Sequence, residues 1–346
     1  MSKVNVVVPC HNYGKFLADC VAGALDDQPG VDSRVLIIDD ASQDDSAEVA
    51  QKLAASDDRI DVIVHTANKG HIATFNEGLL DWADGDYCVL ISADDKLTPG
   101  ALRRAADVMD ANPEVGFVYG GVVNFVDGEE MPPAKTVPSH APKTWPGRQW
   151  LTQRFREAHA VCYSPEVIIR TSVQHKVGGY NPELYHTSDV EMWMRLAAVS
   201  DVGFVFADQA FKRTHGEMMS GVVDDLLHLQ QRRKAYRSVL KIYGDVLPNT
   251  AELSALVHRE LAKEALWHAA RAYDQRQTDT VPVDDLVAFA FDCWPNAFGL
   301  STYRALQWRR QVGATAAPYF RPLVWPRLLA REALQFARDT KDKLPS

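Results

Sequence analysis

The first 125 residues alternate between short, continuous apolar runs and stretches in which apolar positions recur every three to four residues. Residues 4–9 form the first compact run, and residues 15–25 after it have helical spacing. Residues 35–38 are followed by the helical "SAEVAQKLAAS", "IDVIVH" by "IATFNEGLLDWA", and "YCVLIS" by "PGALRRAADVMDA"; "VGFVYGG" closes the series. Val/Ile/Leu runs of this length, set between helices of about three turns, are the pattern of parallel strands covered on both faces. It predicts an α/β fold on a doubly wound, mostly parallel sheet with helices on both faces.

Residues 128–149, with Pro132, Pro133, Pro138, Pro142 and Pro146, break the alternation and predict an irregular excursion. Beyond it the pattern predicts a helix over 150–156, short strands near Val161 and over 167–169, a helix over 189–198, and two strands, 202–206 and 210–213. From about Gly221 the strand signals stop and amphipathic stretches such as "LAKEALWHAARAYDQ" take over. The expected organisation is therefore an α/β domain over 1–220 and an all-helical region over 221–346, with no internal repeat.

The composition, 46% hydrophobic and 24% charged over 346 residues, is that of a folded globular protein. A net charge of −9 argues against nucleic acid as the main partner, since such binding is driven by neutralising phosphates with Lys and Arg. The charge is uneven: residues 301–346 hold nine Lys or Arg against three Asp or Glu. The final "YFRPLVWPRLLAREALQFARDTKDK" mixes Arg with Trp, Phe and Leu. Two expectations follow for it, a helix docked on its own domain or a peripheral contact with the inner membrane surface. No apolar run approaches ~18 residues, and the N-terminus lacks the pattern of a signal peptide. Cys10, Cys20, Cys88, Cys162 and Cys293 are scattered without metal-like spacing, so reduced thiols and a cytoplasmic location are expected.

In sheets of this kind ligands bind beyond the carboxyl ends of the strands. The loops there are "PCHNYG", "DDASQDD", "TANKGH" and "SADDKL", all polar. Adjacent acidic pairs are cheap in this composition: eight occur, against roughly six by chance. Placement separates them. Asp26-Asp27, Asp57-Asp58 and Asp284-Asp285 lie at helix ends or turns, whereas Asp39-Asp40 and Asp94-Asp95 end apolar strands at the binding edge. Two carboxylates a few ångströms apart repel. A hard divalent cation, held by one or two carboxylates and substrate phosphate oxygens, would offset that repulsion; a solvated turn at Asp94-Asp95 is the simpler alternative.

Taken in order, "VVVPCHNYGKFL", "VLIIDDASQDDS", "NKGHIATFNEGL" and "GDYCVLISADDKLTPGAL" resemble the family 2 glycosyltransferases of GT-A fold, and the resemblance runs from about Lys3 to Ser220. It implies that Pro9, Asn12, Asp40 and Asn68 bind the nucleoside-diphosphate sugar, with Asp40 accepting from the base. Asp94 and Asp95 resemble the DXD-type metal and diphosphate motif, Asp95 being the direct ligand of Mn²⁺ or Mg²⁺. Thr74-Phe75-Asn76 stands where many relatives have Ala-Arg-Asn, so a pyrophosphate contact from that Arg is missing.

"GGYNPELYHTSDVEMWMRLA" has a structural account of its own, with a capping box from Ser188 to Glu191 and an inward stripe of Val190, Trp193, Met194 and Ala197. It also resembles the family's Glu-Asp motif, which implies that Asp189 is the general base of an inverting transfer, with Ser188 where Glu is usual. Glu191 is the rival candidate. "FKRTHGEMMSG" resembles the segment that closes over the diphosphate, with Arg213 as an anion partner, His215 as a metal or phosphate contact, and Ser220 at its end.

These residues predict a metal-dependent inverting hexosyltransferase. Its donor would be a nucleoside-diphosphate sugar, UDP by family frequency, and its acceptor a hydroxyl of a glycan or lipid-linked molecule in bacterial surface polysaccharide synthesis. A sugar nucleotidyltransferase is the alternative, although "PCHNYGK" is not its Gly-rich, basic phosphate loop; a silent nucleotide-binding scaffold of the same fold is another. A homo-oligomer is compatible with all three.

Overall fold

Strand β1 (Lys3–Cys10) lies between β2 (Asp32–Asp39) and β4 (Tyr87–Leu90), parallel to both, and β3 (Ile60–Val64) extends the parallel set beyond β2. Val4, Val6, Val7 and Val8 of β1 and all four residues 35–38 of β2 are buried, so both faces are covered, as continuous apolar runs require. The connecting helices are α1 (Gly14–Leu25), α2 (Ser46–Ser56) and α3 (His71–Asn76). The predicted single helix over "IATFNEGLLDWA" is α only as far as Asn76. Glu77–Trp82 continues as a π-helix, closed by a bond from the Ala83 N–H to the Gly78 carbonyl five residues back.

The computed structural model describes residues 1–159, 162–216 and 224–320. Its sheet has the order β3-β2-β1-β4-β8-β6-β9-β5, where β5 is Lys96–Leu97, β6 Val115–Val126, β8 Ile168–Arg170 and β9 Asp201–Thr214; β7 (Lys143–Trp145) also pairs with β9. The sheet is mixed. Beyond the parallel set, β8 runs antiparallel to both β4 and β6, and β5 and β7 run antiparallel to β9. The remaining helices here are α4 (Ala101–Ala111), α5 (Gly147–Glu157), α6 (Thr171–Val177) and α7 (Ser188–Val199).

Two short strands were expected over 202–213, but β9 is continuous. Its register against β6 shifts between Tyr119/Gly121 and Gly121/Val122, a bulge that absorbs the polar Asp208-Gln209 without ending the strand. Gly120 and Gly121 permit it: a Cβ on either would lie 2.6 Å from the Ala207 carbonyl or 2.3 Å from Asp208 Oδ1. The short strand expected at Val161 lies outside the described residues, as do Ser220 and the basic segment 321–346.

By their internal contacts the described residues fall into two units, 1–150 with 162–216, and 151–159 with 224–320. The second is helical, with α8 (Asp225–Tyr243), α9 (Thr250–Asp274), α10 (Val283–Cys293) and α11 (Ser301–Ala316). Within it α9 packs against α8, α10 and α11 through residues such as Val257, Leu261, Ala265 and Leu266. A buried fork from Arg309 to both oxygens of Asp274, at 2.8 and 2.9 Å, ties α11 to α9. All five cysteines are buried, and none is in a disulfide. Among the described residues no helix is long and apolar enough to cross a membrane.

Candidate active site

Past β1 the chain turns at Asn12, whose φ of 59° lies in the left-handed region that Asn tolerates better than most residues. The turn is fixed from the loop after β2. The Asn12 N–H donates to Ser42 Oγ at 2.9 Å, and Asn12 Oδ1 accepts from the Gln43 N–H at 2.7 Å. Pro9 is the penultimate residue of β1, its carbonyl accepting from the Ala93 N–H. Gly14 opens α1 hard against this loop, where a Cβ would lie 2.5 Å from Asp45 Oδ1 and 2.9 Å from the Ser46 backbone nitrogen. We expect Gly14→Ala to destabilise the protein by about 1–3 kcal/mol, read as a lower Tm by circular dichroism.

Asp40, predicted to accept from the nucleobase, is buried and already takes three hydrogen bonds. His65 Nδ1 and the Lys69 N–H reach Oδ1 at 2.8 Å each, and the Gly70 N–H reaches Oδ2 at 2.9 Å. Burial opposes its charge, but these bonds, with that of Lys69 foremost, outweigh burial and hold the carboxyl below its ordinary value. A carboxylate has about four acceptor positions, so one remains. His65 spans from Asp40 to Glu77 Oε2 at 3.0 Å, and Lys69 Nζ meets the same Glu77 oxygen at 2.9 Å. Neither His65 nor Glu77 is marked by the sequence pattern. Asn68 caps this loop by accepting from the Gly70 N–H at 2.9 Å. Asn12, Asp40 and Asn68 therefore belong to three neighbouring loops joined by hydrogen bonds, His11 Nδ1 meeting the Asp40 carbonyl at 2.8 Å, and Pro9 lies in the strand that leads into the first of them.

The second cluster joins the end of β4 to the end of β9. Asp94 Oδ2 meets His215 Nε2 at 3.0 Å, while Asp94 Oδ1 is buried without a hydrogen-bond partner. Asp95 Oδ1 accepts from the Arg213 N–H at 3.0 Å. Burial, and secondly the charge of Asp94, push Asp95 well above the carboxylate range. The Arg213 side chain, predicted as an anion partner, is occupied: Nε donates to the Asp94 carbonyl at 2.9 Å, Nη1 to Asp127 at 3.0 Å and Nη2 to Asp19 at 2.9 Å. Its guanidinium also lies 4.6 Å from the ring centroids of both Phe16 and Phe125. It is a strut under the acidic pair. Distance in sequence hides this role, since Asp19 and Asp127 are remote from Arg213 along the chain.

Among the described residues no three His, Cys, Asp or Glu side chains form a ready-made metal cage. The donors nevertheless fit a hard divalent cation. A buried carboxylate oxygen without a partner, a second carboxyl whose proton affinity is raised by burial and then by its neighbour's charge, and an imidazole converge, and Mg²⁺-type sites commonly use one or two carboxylates plus phosphate oxygens.

Asp189 stands in the first turn of α7. The expected capping box does not form: Thr187 occupies the cap position, Ser188 is already helical, and the Glu191 side chain turns inward to Arg195 Nε at 2.9 Å. That pair is almost fully buried, so Glu191, the rival base, is committed to a structural ion pair. Asp189 keeps partial exposure, and its Oδ1 accepts from the Val190 N–H at 2.7 Å. Burial raises its carboxyl to about 6, against the opposing pull of the Val190 N–H, its own N–H and the Lys212 charge. Nearby, Asn76 clamps the loop before α7 with paired bonds to the Tyr180 backbone at 3.0 and 2.6 Å. Phe75, where the Arg is missing, packs on Tyr180 and His71 at centroid distances of 5.5 and 5.3 Å.

Residues 5–173 match the model of glycosyl transferase family 2. Those residues form a domain of that family. Among its relatives are the glycosyltransferase GlyG of Streptococcus pneumoniae, 34% identical over 37% of this chain and 45% of that one, and the GalNAc(5)-diNAcBac-PP-undecaprenol beta-1,3-glucosyltransferase of Campylobacter jejuni, 32% identical over 37% and 40%. The chain thus spans less than half the length of either. The fold is shared with Staphylococcus aureus TarS residues 1–349, solved in complex with UDP, at a TM-score of 0.61 and 15% identity over 94% of this chain and 91% of that one. The sheet is accordingly of the GT-A type, followed by a helical region.

Proposed function

We propose that this family 2 chain is an inverting, metal-dependent hexosyltransferase that moves a sugar from a nucleoside-diphosphate donor to a hydroxyl of a glycan or lipid-linked acceptor. The observation that carries the proposal is the acidic centre at the end of β4, where a buried Asp94 oxygen without a hydrogen-bond partner, the Asp95 carboxyl and the His215 imidazole come together within a glycosyl transferase family 2 domain. Asp189 takes the proton of the acceptor hydroxyl as the new bond forms at the anomeric carbon, and the diphosphate leaves from the opposite face of the sugar. Asp95, Asp94 and His215 would hold Mn²⁺ or Mg²⁺, which when bound supplies positive charge to the departing diphosphate. Asp40, with one acceptor position left, and Pro9, Asn12 and Asn68 bind the nucleoside side, while Arg213 keeps Asp95 in place.

UDP is the first nucleotide to test, since the TarS fold relative was solved with it. The name of the Campylobacter relative, a glucosyltransferase acting on a PP-undecaprenol-linked glycan, supports a lipid-linked acceptor, and a role in bacterial surface polysaccharide synthesis is proposed with it. In this scheme 1–220 is the transfer domain, and the helices of 221–346 serve acceptor, oligomer or membrane-surface contacts. The test is calorimetric titration of UDP, GDP, CDP and ADP with and without Mn²⁺. Binding of one nucleotide that strengthens with metal is expected; no binding under any condition would remove the basis of the transferase assignment.

A further inference from the structure

Directly after β3 the His65 N–H donates to the Asp39 carbonyl at 2.9 Å, which continues the β2–β3 pairing by one residue and sets the His65 ring beside Asp40. That ring is almost fully buried, and both of its nitrogens face carboxylates. Nδ1 meets Asp40 Oδ1 at 2.8 Å and Nε2 meets Glu77 Oε2 at 3.0 Å. Two ionised carboxylates are both satisfied only when both ring nitrogens carry hydrogen, so each nitrogen donates. Bonds at opposite ends of one rigid ring fix its place and its plane together.

The far anchor is itself held. Glu77 opens the π-helix, and its N–H bonds to the Ala73 and Thr74 carbonyls alike. Gly78 presses that turn on β1, where a Cβ would lie 2.3 Å from Val7 Cγ1. Lys69 gives Asp40 its N–H but turns its ammonium to Glu77 at 2.9 Å. Asp40 is thus gripped by three short, rigid donors, the His65 ring and two backbone N–H groups, while the flexible cation is spent on Glu77. A network built for folding alone would be free to fill all four acceptor positions of Asp40; this one leaves a position open.

We propose that His65 is a positioning residue for the donor nucleoside: anchored by Glu77, it fixes Oδ1 of Asp40 so that the open acceptor position of that carboxylate is presented to the base. The inference rests on the nucleotide-sugar reading above and deepens it. A base that offers an N–H gains most from an acceptor already aimed, because no rotation of the carboxylate has to be frozen on binding. The sequence hides the role, since His65 and Glu77 lie 25 and 37 positions beyond Asp40 and meet it only through the sheet.

The test measures binding of UDP, GDP, CDP and ADP in Mn²⁺ by calorimetry to the wild type, His65→Ala, His65→Asn, Asp40→Asn and the Asp40→Asn/His65→Ala double variant. If the wild type binds none of the four, the donor assignment itself fails and this inference with it. If it binds one, His65→Ala is expected to weaken that nucleotide about tenfold, with the strengthening by Mn²⁺ unchanged within about twofold because the diphosphate end is untouched. His65→Asn, whose amide can donate from the place of Nδ1 but does not reach Glu77, should bind within about threefold of the wild type. In the Asp40→Asn background His65→Ala should cost no more than about twofold further, since the group it positions is already lost. A loss that persists in full in that background, or that Asn does not rescue, marks a purely structural bridge; wild-type affinity in His65→Ala shows that no positioning is needed. Either result overturns the inference. Thermal denaturation checks folding, and should His65→Ala not fold, His65→Gln, which places its amide at Nε2 and keeps Glu77 instead of Asp40, replaces it in each comparison with the same outcomes.

Discussion

Asp189→Asn is expected to lower kcat by about 10²–10⁴-fold while leaving the Kd for the nucleotide in Mn²⁺ within about twofold. The amide keeps the size of the side chain and loses the basic oxygen, so binding and chemistry separate. Because burial raises the Asp189 carboxyl to about 6, the wild-type rate should climb with pH through about 6 and level above it, as the base must be ionised to accept a proton. The Asn variant should lack that limb. The same shift links to stability with a definite sign. The folded state holds the proton more tightly than the unfolded chain, so the wild type loses stability as pH rises from about 4 to about 6. At pH 7.5 the Asn variant should be more stable, on the order of 1–2 kcal/mol, and at pH 4 the gain should vanish. Denaturation at the two pH values reads this directly. A variant that loses nucleotide binding along with kcat would make Asp189 a structural residue.

Much of the fold was legible because it rests on continuous burial. β1, β2 and β4 are covered on both faces and show as unbroken Val/Ile/Leu runs. β5 and β7 were not legible, since strands of two or three residues leave no period to detect. β9 read as two strands because its bulge puts Asp208 and Gln209 in mid-strand. At the site, the ends of apolar strands drew attention to Asp40, Asp94 and Asp95, and the structure brings His215 to Asp94. What pattern could not supply was the state of each group. Nothing local to Arg213 shows that Asp19 and Asp127 occupy it, nor does anything near Asp40 show that His65, Lys69 and Gly70 leave it a single acceptor position. The capping box failed for a related reason: burial of Arg195 within α7 demanded a carboxylate, and Glu191 answered that demand rather than the helix start.

Asp95→Asn should abolish the metal dependence of nucleotide binding, weakening the diphosphate at least ~100-fold in Mn²⁺, and at the same time raise the Tm of the metal-free protein. The two effects share a cause. In the free protein burial and the Asp94 charge push Asp95 well above its ordinary range, so as pH rises beyond about 4 the folded state is progressively penalised relative to the unfolded one. An amide removes that penalty, and a gain on the order of 1 kcal/mol at pH 7.5 is expected from relief of one close like-charge pair. A divalent cation removes it differently, by displacing the proton that Asp95 would otherwise retain. Mn²⁺ binding by the wild type should therefore release a proton near pH 7 and tighten with increasing pH. Titration of Mn²⁺ in buffers of contrasting ionisation enthalpy measures the release, and the Asn variant should show none. If metal binds without proton release and Asp95→Asn does not stabilise the free protein, the acidic pair is a solvated turn and the cation lies elsewhere. The conjunction of a more stable apo-protein with a lost cation is what separates a site built for a ligand from a turn built for folding.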